Sequence, residues 1–468
     1  MLRVFEAFSG VGAQRMALRN LGIEHEIVGV SEIDIPAINS YAAIHEDLLG
    51  NDNFNYPSKE EMIEYLASKN IGLDVKTGKV KPPTSMDKLR MSYKASVLSK
   101  CVGDISIIDP HNLPDMDLFT YSFPCQDLSV AGQRAGMIKG QTRSGLLYEC
   151  EKIIEVKRPK YLLLENVKNL VGKNFKSQFE DWLAYLETLG YTNYWQVLNA
   201  KDYGVPQNRE RVFVVSILGE HTPYEFPKPF KEISMIQSVL ESEVDEKYYL
   251  NQPFHISSLK GFEANPKEQT IRYLGKDLTL PCVCASRGRY IDNPNSRVSG
   301  LPTQQFLELN PNNTSNALTT VQKDNYVMEW VIQKAKENSP SKRTIAYLEQ
   351  VQQLAMNLEE NRVWMGVDKS LNQPQLTSIA NCLTAREDRG ISNHRQEGTA
   401  VVCSSPFLVR KLTPLECWRL MGFSDEDFEK AKASGLSNAQ LYKQAGNSIV
   451  VPVLEGIFEP LINNTKER

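Results

Sequence analysis

At 468 residues the chain is too long for one ordinary hydrophobic core, so two domains are expected. A hydrophobic content of 41% with 24% charged residues is that of a soluble globular enzyme, and an absence of apolar runs near the ~18 residues of a membrane span argues against a membrane protein. The formal net charge of -4 excludes a uniformly basic nucleic-acid binder but leaves room for positive charge gathered on one face.

The first residues, MLRVFEAFSG, lack the apolar stretch and cleavage site of a secretory signal, which points to the cytoplasm. Residues 2–8 read as a strand, Ser9-Gly10-Val11-Gly12 as a glycine turn, and 14–21 as a helix with Met16, Ala17 and Leu21 at helical spacing. Strand, glycine turn and helix open a nucleotide-binding α/β unit, although Ala13 follows Gly12 and the third glycine of a pyrophosphate loop is missing. A second strand over 26–31 ends at Glu32 and Asp34, where a carboxylate can accept from ribose hydroxyls or cap the helix after Pro36. This combination suits an adenosine ligand without a diphosphate.

Residues 51–100 form a detour, with Ser58 and Glu61 at capping-box spacing before a short helix, a turn over 79–83 and a second helical stretch. It reads as an insertion of structural or DNA-edge use. Asp104 then either meets an adenine amino group or ends a strand. An apolar run over 117–123 finishes a buried strand, and Pro124-Cys125-Gln126 follows as a turn, so that the Cys125 thiol stands at a strand end where ligands gather. An inert cysteine packed beside the turn is the alternative. The other cysteines are scattered, and Cys282 and Cys284 are too close for a zinc knuckle, so neither disulfides nor a structural metal is expected.

A loop over 140–147 feeds a helix through Val156, and the strand at 161–164 closes on Glu165-Asn166-Val167, a carboxylate on the same sheet edge as Cys125. After a helix over 182–189, a loop carries Gln207, Arg209 and Arg211 into a buried strand over 212–218. Arg209 and Arg211 alternate and point the same way in an extended segment, with a surface ion pair as the bland alternative.

From 226 to 406 the alternation of strand and helix gives way to loops rich in Asn, Pro, Ser and Thr, with one helix expected over 343–360 and two similar short segments at 316–320 and 381–385. Part of it is locally basic, with Lys260, Lys267, Arg272, Lys276, Arg287, Arg289 and Arg297 against Glu263, Glu268, Asp277 and Asp292. Order returns at Thr413-Pro414-Leu415-Glu416, a helix start ending at Gly422, and Gln444-Ala445-Gly446-Asn447-Ser448 opens an apolar helix over 449–461. That glycine and asparagine mark either a backbone-close ligand site or a helix cap.

Six such blocks, in this order over the first ~220 and last ~60 residues, resemble the DNA cytosine-5 methyltransferases of the bacterial restriction-modification type. The resemblance implies a Rossmann-like S-adenosylmethionine-dependent methyltransferase domain over 1–225, an irregular, mixed target-recognition domain over 226–406, and a return segment over 407–468 that completes the first. It implies that Phe8, Gly10, Gly12, Glu32, Asp104, Ile105, Leu146, Asn447 and Ile449 hold S-adenosylmethionine. It makes Cys125, between Pro124 and Gln126, the nucleophile toward cytosine, Glu165 the group that binds the ring, and Arg209 and Arg211 its supports. Double-stranded DNA is the implied substrate, with a restriction endonuclease of the same specificity as a possible companion and no membrane. Arg287, Arg289, Arg386 and Arg389, in loop-like stretches, are the candidates for reading guanine. Ala13, the 51–100 insertion and the middle region depart from the family pattern.

Methylation of RNA uses the same catalytic set. A nicotinamide dehydrogenase would employ Gly10, Gly12 and Glu32 but leave Cys125, Glu165 and Arg209 without a shared purpose. A silent DNA-binding module would not need these catalytic side chains.

Overall fold

Runs of apolar residues that bury both faces of a strand are the mark of a sheet covered by helices on either side. In the computed structural model, which describes residues 1–50, 53–124, 143–229, 235–248, 263–265, 270–273, 276–290, 303–318, 325–330, 362–368, 373–377, 400–402 and 407–463, these runs become the centre of such a sheet. Two units divide the chain. One comprises Met1–Met235, Ala317–Thr320 and Pro414–Arg468, the other Ile236–Asn316 and Val321–Thr413.

The first unit contains strands β1 (Leu2–Ala7), β2 (His25–Ser31), β3 (Leu73–Asp74), β4 (Lys79–Val80), β5 (Leu118–Tyr121), β6 (Tyr161–Val167), β7 (Tyr191–Asn199), β8 (Gln207–Asn208) and β9 (Glu210–Leu218). Six of them form one sheet in the order β2-β1-β5-β6-β9-β7. β2, β1, β5 and β6 pair in parallel, whereas β9 runs antiparallel to both β6 and β7. The fold is therefore α/β and Rossmann-like, as expected, with a mixed sheet. Its order reverses between β1 and β5, and the loops after those strands frame the point where such sheets bind ligands.

Side-chain alternation assigns the two faces. Phe5, Ala7, Phe119, Tyr121, Leu162, Leu164, Val212 and Val214 face helices α5 and α6 of one layer, with Ile153, Ile154, Phe179, Trp182 and Leu186 in the same core. In chain order the helices are α1 (Ala13–Asn20), α2 (Ile35–His45), α3 (Lys59–Ser68), α4 (Met86–Leu98), α5 (Leu147–Lys157), α6 (Lys176–Thr188), α7 (Pro414–Arg419), α8 (Asp425–Ala433), α9 (Asn438–Asn447) and α10 (Val451–Asn463). α10 packs against α1, and Asn20 Nδ2 donates to Glu455 Oε1 at 2.7 Å. The carboxy-terminal segment thus completes the amino-terminal unit.

Several expectations change. The stretch Asn438–Ile462 is long and apolar enough, by length and composition, to cross a membrane, contrary to the reading of the sequence. Its apolarity serves the core, since 61% of that window is buried. Residues 444–448 do not open a helix. They are the last turn of α9 and its cap, and α9 itself starts from a capping box between Ser437 and Gln440. Within the insertion α4 packs on α2, and just after it Val102 N donates to Val30 O at 2.9 Å, extending the sheet beside β2. The capping box of Ser58 and Glu61 is present at the start of α3, and the turn expected at 79–83 instead begins with β4.

Among its described residues the second unit is built mostly of strands. β10 (Glu263–Asn265), β11 (Thr270–Tyr273) and β12 (Lys276–Thr279) form one sheet. β13 (Cys282–Tyr290), β14 (Thr303–Leu309), the two-residue β15 (Ser315–Asn316) and β16 (Tyr326–Trp330) follow in sequence. β17 (Arg362–Asp368), β18 (Gln373–Thr377) and β19 (Ala400–Val402) form another sheet, and β20 (Phe407–Lys411) joins β14, β13 and β16. The unit's limits fall at 236 and 413, not at 226 and 406, because β20 pairs with β16. Short antiparallel strands between polar connections carry a period of two over too few residues to stand out from loop composition. The helix expected over 343–360 and the segment 381–385 lie outside the described residues.

Candidate active site

The glycine turn is held by a buried carboxylate. Glu6 sits in the middle of β1 with no exposure, accepts from Arg15 N at 3.0 Å and from Tyr41 Oη at 2.6 Å, and so satisfies one of the free N–H groups in the first turn of α1. Burial pushes its pKa up to about 7, against the opposing hydrogen bond from Tyr41 and the charge of Arg15. Arg15 also pairs with Glu46 and donates to His45 O at 3.2 Å, and His45 Nε2 lies 3.2 Å from Val11 O.

Around this turn the backbone is left-handed at Phe8 (φ 56°), Gly10 (φ 54°) and Gly12 (φ 81°). A Cβ at Gly12 would lie 2.5 Å from His45 Nε2 and 2.7 Å from Tyr41 Cε2, so this glycine is demanded twice, by φ and by space. A Cβ at Gly10 would meet nothing within 4 Å. One glycine closes the turn on α2 while the other leaves its outer side open.

Glu32, after β2, is the link between them. Its Oε2 accepts from Gly10 N at 3.1 Å, and its Oε1 accepts from Ile33 N at 2.8 Å and Asp34 N at 2.9 Å. Burial raises its pKa, and the Asp34 N–H pulls it back. Glu32 thus braces the start of α2, whose N-cap is Asp34, and also fastens the glycine turn. Asp104 does not end a strand. It caps a short 3-10 turn over Ile105–Ile107 by accepting from Ser106 N, and it accepts from Asn70 Nδ2 at 3.0 Å. Ile105 and Ile449 are buried, Leu146 is half-buried against the core, and Asn447 is exposed at the end of α9.

Along the same sheet edge, Glu165 is 9% exposed and lies within β6, one residue deeper than a strand end at 164 implies. Arg211 Nε stands 3.2 Å from its Oε1. Burial raises the pKa of Glu165, and the charges of Arg211 and Arg209 lower it. The next residue, Asn166, donates its amide to Phe123 O at 3.1 Å and accepts from Val167 N at 2.9 Å. It ties the end of β6 to the segment that leads through Pro124, itself half-buried, to Cys125. Cys125 and Gln126 lie outside the described residues.

The charges of both arginines act on Glu165, and their hydrogen bonds differ. Arg209, 3% exposed, donates to Leu318 O at 2.9 Å, Gly446 O at 3.0 Å and Ser448 O at 2.8 Å, gripping the loop that carries Asn447 from both sides. Arg211 forms an ion pair with Glu165. Gln207, fully buried, donates to Leu420 O at 2.8 Å and accepts from Leu318 N at 3.2 Å. Gln444 accepts from Ser40 Oγ at 3.1 Å and donates to Pro36 O at 3.0 Å, which joins α9 to α2.

The sequence names Gln207 beside the arginines without giving it a role, and gives none to Glu6, Asn166 or Gln444. Glu6 carries a signal, a carboxylate between the apolar Phe5 and Ala7 of a buried strand; Asn166 and Gln444 have none beyond their neighbours. In the second unit, Arg287 and Arg289 lie in β13, paired opposite Phe306 and Gln304 of β14, rather than in a loop. Arg386 and Arg389 lie outside the described residues. A shallow cleft lined by Lys160, Tyr161, Ile217, His221, Tyr224 and Leu461 opens at the opposite end of the sheet, away from all these groups. Among the described residues no cluster of His, Cys, Asp and Glu could hold a metal ion.

The sequence pattern of the C-5 cytosine-specific DNA methylases matches residues 58–463. The chain is 39% identical to the type II methyltransferase M2.ScrFI of Lactococcus lactis subsp. cremoris, over 99% of this chain and 100% of that protein. It is 29% identical to the orphan methyltransferase M.SPRI of Bacillus phage SPR over 99% of this chain and 98% of that one. It is 42% identical to the orphan methyltransferase M.SssI of Spiroplasma monobiae over 56% of this chain and 72% of that one.

Proposed function

The chain belongs to the C-5 cytosine-specific DNA methylases, an enzyme family, and from that premise we propose that it methylates carbon 5 of a flipped-out cytosine in a specific duplex sequence through a covalent adduct with Cys125. The observation that carries the proposal is the pair Glu165 and Asn166, one buried beside Arg211 and the other fastened to the strand end that leads to Cys125.

Carbon 5 of cytosine is a poor nucleophile. Addition of the Cys125 thiolate at carbon 6 moves the ring electrons onto carbon 5 and makes it one. A carboxylic acid at Glu165 donates to ring nitrogen 3 and accepts from the exocyclic amino group, which draws electrons from carbon 6 and selects cytosine over thymine. After methyl transfer the carbon-5 proton is lost, the ring double bond re-forms and the thiolate leaves. Cysteine suits both ends of the cycle, since it attacks readily and departs readily. Incubation with DNA carrying 5-fluorocytosine at the target tests this. Fluorine cannot leave as a proton, so a stable protein–DNA adduct is expected, and it should vanish in Cys125→Ser; an intact protein that methylates DNA yet traps no adduct refutes the nucleophile.

The glycine side of the sheet fits an adenosine-bearing group. Gly10 leaves its outer side open, and among the described residues Glu32 Oε2 accepts from Gly10 N. S-adenosylmethionine, when bound, supplies a methyl group on a positively charged sulfur. Phe8, Gly10, Gly12, Glu32, Asp104, Ile105, Leu146, Asn447 and Ile449 would hold it. Glu32→Ala is expected to weaken its binding by roughly 1–3 kcal/mol, the scale of a charged hydrogen bond, with little change in DNA affinity. Calorimetry reads this directly, and unchanged affinity would reduce Glu32 to a helix brace.

Sequence choice is assigned to the second unit, with Arg287 and Arg289 in β13, and Arg386 and Arg389, as the groups that read guanine. The working site of such an enzyme is the cytoplasm. In a restriction-modification setting an endonuclease of the same specificity accompanies it, acting on the same DNA sequence without need of direct contact.

A further inference from the structure

Helix α3 ends in a way that leaves one side chain with nothing to do for the helix. Asn70 adopts φ 54°, its N–H donates to Ala67 O at 3.0 Å, and Ile71 N donates to Leu66 O at 2.9 Å, a left-handed stop in which glycine is the preferred residue and asparagine the next. Backbone alone makes that stop. The Asn70 amide instead crosses to the segment after the sheet and donates to Asp104 Oδ2 at 3.0 Å.

Asp104 is held by further hydrogen bonds as well. Ser106 N and Oγ donate to its Oδ1 at 3.0 and 2.8 Å, and its own N–H donates to Lys69 O at 3.0 Å. The two segments touch so closely that a Cβ at Gly103 would lie 1.9 Å from Lys69 O. An ionised carboxylate offers about four acceptor positions. Among the described residues, two on Oδ1 and one on Oδ2 are taken, so one remains, on Oδ2.

We propose that Asn70 is a positioning residue for the cofactor's purine. By holding Oδ2 it leaves the carboxylate a single acceptor position, fit for one hydrogen of an exocyclic amino group, and so favours a 6-amino purine over the 6-oxo purine produced by its deamination. A 6-oxo group presents an acceptor to an acceptor, and the fixed carboxylate cannot turn away. The inference rests on the reading of Asp104 as a cofactor-holding residue. It gives the 51–100 segment a role in the chemistry of the site.

The test is calorimetric titration of the full chain with S-adenosylhomocysteine and with its deaminated counterpart, S-inosylhomocysteine. Wild type should prefer the first by tenfold or more, on the order of one charged hydrogen bond. Asn70→Gly keeps the left-handed stop and removes only the amide. It should melt at or above the wild-type temperature, bind S-adenosylhomocysteine about five- to tenfold more weakly, and lose most of the preference. Asn70→Ala, which keeps the strain, should show the same loss of preference together with a lower melting temperature. If Asn70→Gly retains both affinity and preference, Asn70 is a helix terminator and the proposal falls. If Asp104→Ala keeps the wild-type preference, the proposal falls for a different reason, since Asp104 does not then meet the purine.

Discussion

Replacing Glu165 by glutamine should slow methyl transfer ~10³-fold while target DNA is still bound, because the amide keeps the shape and the hydrogen-bond pattern of the acid but cannot transfer a proton to ring nitrogen 3. Burial already raises the pKa of Glu165 in the free protein, with Arg211 and Arg209 acting in opposition. The sign of the pH effect follows. A group that must carry a proton to work contributes fully below its folded pKa and loses its contribution as pH rises through it, and a raised pKa extends the working window upward toward neutrality. The thiolate of Cys125 requires the opposite, so the single-turnover rate of the wild type should pass through a maximum. Its alkaline limb belongs to Glu165 and should be absent from Glu165→Gln, while the acid limb remains. Arg211→Ala removes a charge that opposes protonation and should move the alkaline limb to higher pH. A Glu165→Gln enzyme that stays within tenfold of the wild-type rate would take this carboxyl out of the chemistry.

How much of this was legible beforehand depends on where each residue's partners lie in the chain. The strands at 161–167 and 210–218 announce themselves as apolar runs because both their faces are buried. β7 does not, since this edge strand buries only Tyr191 and Leu198 completely and its remaining residues mix polar and aromatic types. The glycine turn could be read from Gly10 and Gly12, but the reason Gly12 tolerates no side chain is His45 and Tyr41, more than a helix away in sequence. Likewise Arg209 and Arg211 look alike as an alternating pair. Their difference comes from the carboxy-terminal loop that folds back on one of them, a contact across more than two hundred residues that no local pattern encodes. In the second unit Arg287 and Arg289 were taken for loop residues because the small and polar residues around them dilute the strand signal of β13.

That return of the chain is what makes Arg209 the other residue of large effect. Its buried guanidinium supplies donors to three carbonyls, two of them flanking Asn447, and among the described residues Gln207 is the neighbour that holds the same region through Leu318 and Leu420. Arg209→Ala leaves those acceptors buried without their donors, at a cost on the order of 4 kcal/mol if the losses only partly add. The carboxy-terminal loop should then separate from the amino-terminal sheet, so the melting temperature falls by several degrees and affinity for S-adenosylhomocysteine falls with it, before any catalytic step is reached. Lysine cannot reproduce a planar fork that reaches three acceptors, and Arg209→Lys should recover stability in part and cofactor affinity less. Arg211→Ala provides the contrast, since its partner Glu165 lies in the catalytic half and its loss should leave the melting temperature nearly unchanged. Thermal melts and ligand titrations on the three variants separate the two arginines. An Arg209→Ala protein with wild-type melting and wild-type cofactor affinity would mean that the loop around Asn447 holds its position without this side chain, and that Arg209 acts, if at all, only on Glu165.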